Sequence, residues 1–313
     1  MAKLFPKISP YRKGYLKVSD GHRLYYELCG NPKGKPVLFV HGGPGGGCSK
    51  DDRRFFNPKK FNVILFDQRG AGRSKPLGSL KGNTTRKLVQ DMRKLLLFLK
   101  IDKVFLFGGS WGSTLSLVYA INYPETVSGM LLRGIFLASL KDVDYFINGP
   151  VKEIFPEARE RFLSLVPEKE RKGAVRYYSG KMNSAKRKTR EKYKFEYAYY
   201  ESTISHLKIT HRQVMKKLKK WNYGAAALIE AKYVANDCFL EKNYILKNAH
   251  KISGIPAVII HGRYDLVCPP LGAYKLHKKL KNSRLYFVLA GHSSSEKEIQ
   301  SKLVSEMNKV KES

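Results

Sequence analysis

The pentapeptide Gly108-Gly109-Ser110-Trp111-Gly112 follows the apolar run that begins at Lys103 and precedes the apolar stretch STLSLVYA. A serine in G-x-S-x-G spacing between a strand and a helix predicts a nucleophile on a sharp turn. The turn explains the glycines. It lifts the hydroxyl above the sheet, and side chains two residues before and after it would collide. Ser113 and Ser116 fall inside the following helix and lack that exposure. A glycine-rich packing turn is the plain alternative, so the serine must be judged by its partners.

A serine hydroxyl needs a base, and the base needs a group that orients it. In a strand–turn–helix setting of this kind the acid follows the serine in the chain and the histidine follows the acid. Asp265 lies just past the apolar run AVIIHG, and His292 just past LYFVLAG. His277 sits in the basic helical stretch LHKKLK and reads as a surface residue. His261 reads as structural, and Asp237 lies in helical text away from any strand end. The predicted triad is Ser110, Asp265 and His292: attack, proton transfer, and orientation of the imidazole. Acyl transfer also needs donors for the oxyanion. The residue after the nucleophile, Trp111, offers one backbone N–H. The loop His41-Gly42-Gly43-Pro44-Gly45-Gly46-Gly47 offers the second, predicted at Gly43. That loop lacks the Lys-Ser/Thr of a phosphate loop and the spacing of a dinucleotide turn.

The elements that must hold these residues are legible in outline. Gly14–Ser19 and Arg23–Cys29 predict a hairpin around Asp20-Gly21. Pro36–Val40, Asn62–Asp67, Lys103–Gly109, Met130–Phe136, Ala257–Gly262 and Leu285–Ala290 predict further strands. Helices are expected from Asn83, as a capping residue, to Leu99, from the serine turn to Pro124, and from about Ser295 onward. Alternating strands and helices imply an α/β fold whose mostly parallel sheet is covered on both faces. Residues 138–244 read differently: helical, aromatic and basic. The expected organisation is a core of residues 1–137 and 245–313 with a helical cap inserted at 138–244. Functional residues in such a sheet gather beyond the carboxyl ends of the strands.

Composition excludes several classes. No run of about 18 apolar residues predicts a membrane span, and the N-terminus carries no secretory signal pattern. The four cysteines are scattered and form no C-x-x-C pair, which argues for free thiols in the cytoplasm over a disulfide frame or a zinc site. The chain holds 59 Lys+Arg against 26 Asp+Glu, a net charge of +33. The excess is spread along the chain, so it predicts a general surface bias and no dedicated nucleic-acid partner. Oligomeric state is not specified by any of these features.

HGGPGGGCSKDDRRFF, FDQRGAGRS, GNTT, FGGSWGSTLSL, LRGIFL and HGRYDLVCPP together resemble the proline iminopeptidases of the α/β-hydrolase fold, from about residue 10 to 300. The resemblance implies a serine exopeptidase. It would release N-terminal proline from short peptides through an acyl-enzyme, with no metal or cofactor. It further implies that two cap glutamates read the substrate's amino terminus: Glu201 in AYYESTISHL and Glu230 in ALIEAKY. A buried carboxylate pair would favour a cationic secondary amine and penalise a blocked one. The chain departs from the family pattern at Tyr200, where tryptophan is usual. It also departs at ASLKDVD, which lacks an arginine often found there, and at DMRKLLLFLK. Accordingly, hydroxyproline, alanine or other small N-terminal residues are conceivable substrates. Two other readings stand beside this one: a related hydrolase acting as a broader aminopeptidase or esterase, and a basic binding protein that retains the fold. Cys268, close to Asp265, is expected to make the enzyme sensitive to thiol reagents.

Overall fold

A computed structural model describes residues 2–311. Its apolar runs pair into one sheet of eight strands: β1 (Arg12–Lys17), β2 (Arg23–Gly30), β3 (Lys35–Val40), β4 (Phe61–Phe66), β5 (Val104–Gly109), β6 (Val127–Arg133), β7 (Ala257–Gly262) and β8 (Ser283–Val288). Their order is β1-β2-β4-β3-β5-β6-β7-β8. The hairpin β1–β2 is antiparallel, and β2 also meets β4 antiparallel. From β4 to β8 every pairing is parallel. β5 and β7 are almost wholly buried, as strands covered on both faces must be. This is the predicted α/β architecture.

Among the described residues the helices run, in chain order, α1 (Thr85–Phe98), α2 (Trp111–Asn122), α3 (Leu140–Asn148), α4 (Val151–Ile154), α5 (Pro156–Leu163), α6 (Ala174–Met182), α7 (Arg187–Ile204), α8 (His211–Lys220), α9 (Tyr223–Val234), α10 (Tyr244–Asn248), α11 (Pro270–Lys279) and α12 (Lys297–Asn308). Residues Trp111 through Ile121 are all buried, so α2 is apolar around its whole circumference and not on one stripe. Helices α3 to α10 fill the interval between β6 and β7.

Three expectations needed adjustment. β6 spans Val127–Arg133, earlier than the expected Met130–Phe136, and the positive φ of Gly134 marks its end. β8 likewise ends at Val288. Asn83 does not cap α1: Thr84 occupies the N-cap position, without a side-chain bond. The Asn83 amide instead donates to the carbonyls of Arg69 and Ser79, and its oxygen accepts from the Tyr233 hydroxyl. Competing tertiary partners outweighed a local cap.

Apolar packing falls into three clusters. One joins α1 and α2 to the sheet, and another lies on the opposite face under α12. The third is aromatic and draws on α3 to α9, with Phe162 stacked on Tyr178 at 4.2 Å between centroids. Tyr200, where the family usually has tryptophan, is buried there and donates to the Phe146 carbonyl at 2.6 Å. α9 belongs to two clusters, giving Ile229 and Tyr233 to the first and Ala227 and Ala231 to the third.

The parallel strands all end on one edge of the sheet. Six loops meet there, after β3, β4, β5, β6, β7 and β8. One of the closest approaches is between the first turn of α2 and the end of β3. A Cβ on Gly112 would overlap the Val40 carbonyl oxygen, and one on Gly108 would overlap that of Gly112. We expect Gly112→Ala to cost roughly 3 kcal/mol or more in urea denaturation, because backbone must move to admit it. Gly180, exposed near the end of α6 with open space around it, is the contrast. Gly180→Ala should stabilise by about 0.5–1 kcal/mol.

Candidate active site

Ser110 has φ 58° and ψ −127°, a conformation rare for a residue with a side chain, and it is the residue that opens α2. Its backbone N–H donates to the Arg133 carbonyl at 2.8 Å, which ties the turn to the end of β6. The hydroxyl therefore stands at the strand edge, where the loops after β7 and β8 meet it.

Those loops bring Asp265 and His292 to Ser110. His292 Nε2 lies 2.9 Å from Ser110 Oγ, and His292 Nδ1 lies 2.7 Å from Asp265 Oδ2. A carboxylate only accepts, so Nδ1 carries the proton and Nε2 accepts from the serine hydroxyl. The second oxygen of Asp265 accepts from the backbone N–H groups of Val267 and Cys268, at 2.9 and 2.8 Å. Burial alone would raise the Asp265 pKa. The charge and hydrogen bond of His292, with help from His261 and the Cys268 N–H, bring it below the usual carboxylate range. His261 is fully buried, accepts from the Ile135 N–H at 3.0 Å, and lies 3.0 Å from the Cys268 carbonyl. It braces the Asp265 loop and does not reach Ser110.

Arg133 was quoted within LRGIFL without a role. Its Nη1 donates to the His292 carbonyl at 3.0 Å and lies 3.2 Å from His292 Nε2. The strand-end position of Arg133 was the signal available, since arginine at the end of a buried strand has few places to go.

The glycine loop packs against the serine turn. A Cβ on Gly42 would come within 3.4 Å of Ser110 Cβ. Trp111 is the first residue of α2, so its N–H has no partner within the helix. Gln68 joins the two. Its side-chain nitrogen donates to the His41 carbonyl at 2.9 Å, and its oxygen accepts from the Trp111 indole N–H at 3.0 Å. His41 returns the contact by accepting from the Gln68 backbone N–H at 2.9 Å. Asp67 extends the bracing, accepting from the Cys48 N–H at 2.7 Å and from Arg73 at 2.8 Å. Gln68 follows β4 at the same edge, a position that is the only hint of its role in the sequence.

Above Ser110 lies a small cavity of about 40 Å³. Gly43, Pro44 and Ser110 form its floor, and Phe136, Phe146 and Tyr197 give it apolar walls. Glu201 from α7 and Glu230 from α9 both line it. The Tyr197 hydroxyl donates to Glu230 at 3.2 Å. Burial raises both carboxyl pKa values. Glu230 is driven furthest because the charge of Glu201 adds to its burial, while Lys217 and His292 restrain Glu201. Two carboxyl groups confined in an apolar cavity are chemically suited to a cation, whose charge would offset theirs. Cys268 also lines the cavity, but burial and then Asp265 push its thiol well above the ordinary range, which leaves little thiolate to react. Among the described residues, no cluster of His, Cys, Asp or Glu is arranged to hold a metal ion, and no helix is long and apolar enough to cross a membrane.

Residues 35–298 match the family model described as the alpha/beta hydrolase fold. The crystal structure titled as proline iminopeptidase from Mycobacterium smegmatis superposes with a TM-score of 0.65 at 14% identity, covering 95% of this chain and 98% of that one. At such identity the likeness speaks for the fold. Closer in sequence is the probable proline iminopeptidase of Leptolyngbya boryana, 44% identical over 97% of this chain and 95% of its own length. The proline iminopeptidase of Arabidopsis thaliana is 42% identical over 98% of this chain and 82% of that protein. That of Xylella fastidiosa is 41% identical over 95% of both chains. With the strand order, the serine turn and this similarity along nearly its whole length, the chain belongs to the proline iminopeptidase family of α/β-hydrolases.

Proposed function

We propose that this protein is a serine exopeptidase that releases N-terminal proline from short peptides, with residues 138–244 acting as a cap over the site. The observation that carries the reading is the hydrogen-bonded line Ser110–His292–Asp265 beneath a cavity that also holds Glu201 and Glu230. We assign Ser110 as nucleophile, His292 as base and Asp265 as its orienting partner. The free thiols Cys29, Cys48, Cys238 and Cys268 fit a cytoplasmic setting.

The reaction then runs in two halves. The protonated amine of the substrate's proline binds Glu201 and Glu230, which fixes the scissile carbonyl over Ser110. Ser110 Oγ bonds to that carbon while its proton passes to His292 Nε2. The carbonyl oxygen becomes an oxyanion held by the N–H groups of Gly43 and Trp111. As the C–N bond breaks, His292 gives its proton to the departing amine, leaving a prolyl ester on Ser110. Water repeats the sequence: its proton goes to His292, its oxygen to the acyl carbon, and Ser110 leaves with the proton. Water is the co-reactant of the second half, supplying the oxygen of the released proline's carboxylate and the proton that returns to Ser110. Glu201 and Glu230, by holding the free amine, would restrict cleavage to the first peptide bond, which makes the activity an exopeptidase.

Ser110→Ala should lower kcat on an unblocked prolyl arylamide by roughly 10⁴–10⁶-fold while the melting temperature stays near that of the parent. Wild-type turnover in that variant would sink the assignment. Glu201→Gln and Glu230→Gln should each reduce kcat/KM on the free-amine substrate by roughly 10²–10³-fold and leave a simple ester nearly untouched. Equal losses on the two substrates would mean that these carboxylates do not read the amine. Both carboxyl pKa values are raised, so the pair is fully ionised only at higher pH. Inhibition by proline amide should therefore strengthen as pH rises through that range and weaken again once the amine itself loses its proton. In Glu230→Gln the rising limb should flatten.

A further inference from the structure

One carboxylate spans two segments of chain that lie far apart in sequence. Glu296 Oε2 accepts from the Gly291 N–H at 2.7 Å, and Glu296 Oε1 accepts from the Leu207 N–H at 2.8 Å. Gly291 precedes His292. Leu207 lies three residues beyond the end of α7, the helix that carries Glu201. Glu296 stands at the N-cap position of α12, yet its side chain makes no capping bond there. It turns back to the two loops instead.

Other bonds run in parallel across the same seam. The N–H groups of His292 and Ser293 both donate to the Ser205 carbonyl, at 3.0 and 2.8 Å. Ser205 in turn closes α7, donating through its N–H and its hydroxyl to the Glu201 carbonyl at 3.0 and 2.6 Å. The seam is tight. A Cβ on Gly291 would come within 2.9 Å of the Leu207 nitrogen and 3.1 Å of Glu296 Oε2. The last turn of α7 and the turn bearing His292 are thus pinned to each other; Ser295 Oγ also lies 3.4 Å from His206 Nε2 across the seam, and Glu296 is the side chain that bonds to backbone on both sides.

We propose that Glu296 is a positioning residue that sets the base His292 and the amine-reading Glu201 in one frame, by fixing the loop after β8 to the loop after α7. The proposal rests on the reading of Ser110 and His292 as nucleophile and base. A carboxylate suits the task because it offers two acceptors and no donor. A glutamine of the same size would turn an amide N–H toward one of the two backbone N–H groups. That bond is lost and replaced by repulsion, with the chain trace otherwise preserved. Burial also raises the Glu296 pKa, while the bonds from Leu207 and Gly291 oppose the shift.

The test uses the full chain and an aryl fluorophosphonate, which labels an activated serine whatever the natural substrate is. Glu296→Gln should fold, with a melting temperature within a few degrees of wild type. Its second-order labelling rate should drop ~10–100-fold, the loss expected when a base is displaced by a fraction of an ångström to about one. KM for an unblocked prolyl arylamide should rise as well, because Glu201 shifts with the same seam, while KM for a simple ester should not. Gly291→Ala, which wedges the seam from the other side, should show the same pattern. Glu298→Gln, an exposed neighbour without a bond across the seam, should label at the wild-type rate. A folded Glu296→Gln or Gly291→Ala that labels and binds as wild type overturns the proposal. A wild-type chain that the phosphonate never labels overturns it together with the nucleophile assignment.

Discussion

The contact between α2 and the end of β3 governs the molecule. Two backbones meet where no side chain fits, with Gly112 against the Val40 carbonyl. That approach drives the helix into the edge of the sheet and leaves Ser110 at the crest, in a conformation that only surrounding packing sustains. The burial of α2 from Trp111 to Ile121 supplies the packing. Gln68 and Asp67 then brace the glycine loop against the same crest. The position of the hydroxyl is a consequence of this geometry and not of any bond that the hydroxyl makes.

Electrostatics works in the opposite sense from the overall composition. The chain carries +33, yet the cavity above Ser110 concentrates two carboxylates whose ionisation burial resists. A positive surface does little to neutralise them, because screening by solvent weakens distant charges. Burial opposes the ionisation of both groups, and the charge of Glu201 adds to that at Glu230. The same composition that would ordinarily suggest a polyanion partner therefore says little about the cavity.

Much of this was legible before any coordinates. Ser110, Asp265 and His292 stood out because each follows an apolar strand, and the parallel sheet brings strand ends to one edge. The strands themselves were readable within a few residues; β6 and β8 were placed late because their apolar runs continue past the last paired residue. Asn83 shows why local rules fail: a good capping residue was claimed by Tyr233 and by two distant carbonyls. Gln68, Arg133 and Glu296 were not assigned roles. Each acts through backbone atoms of residues far away in the chain, and polar side chains of that kind carry no periodic signature. Glu201 and Glu230 were found only through family resemblance, since nothing in a basic helical text marks two glutamates as neighbours.

α9 bears on how such a protein can change over time. Its Ala226 and Ile229 lie against Gly45, its Tyr233 packs edge-on to Trp111 at 4.9 Å, its Ala227 and Ala231 join the aromatic cluster, and its Glu230 faces the cavity. One helix thus has four obligations. The inserted segment is for that reason not an interchangeable module. Helices α4 to α6 and α8 give no side chain to the cavity, whereas α3, α7 and α9 all line it, and α9 also touches the glycine loop. Changes of length or sequence that spare the site are therefore confined to the helices that stand away from the cavity.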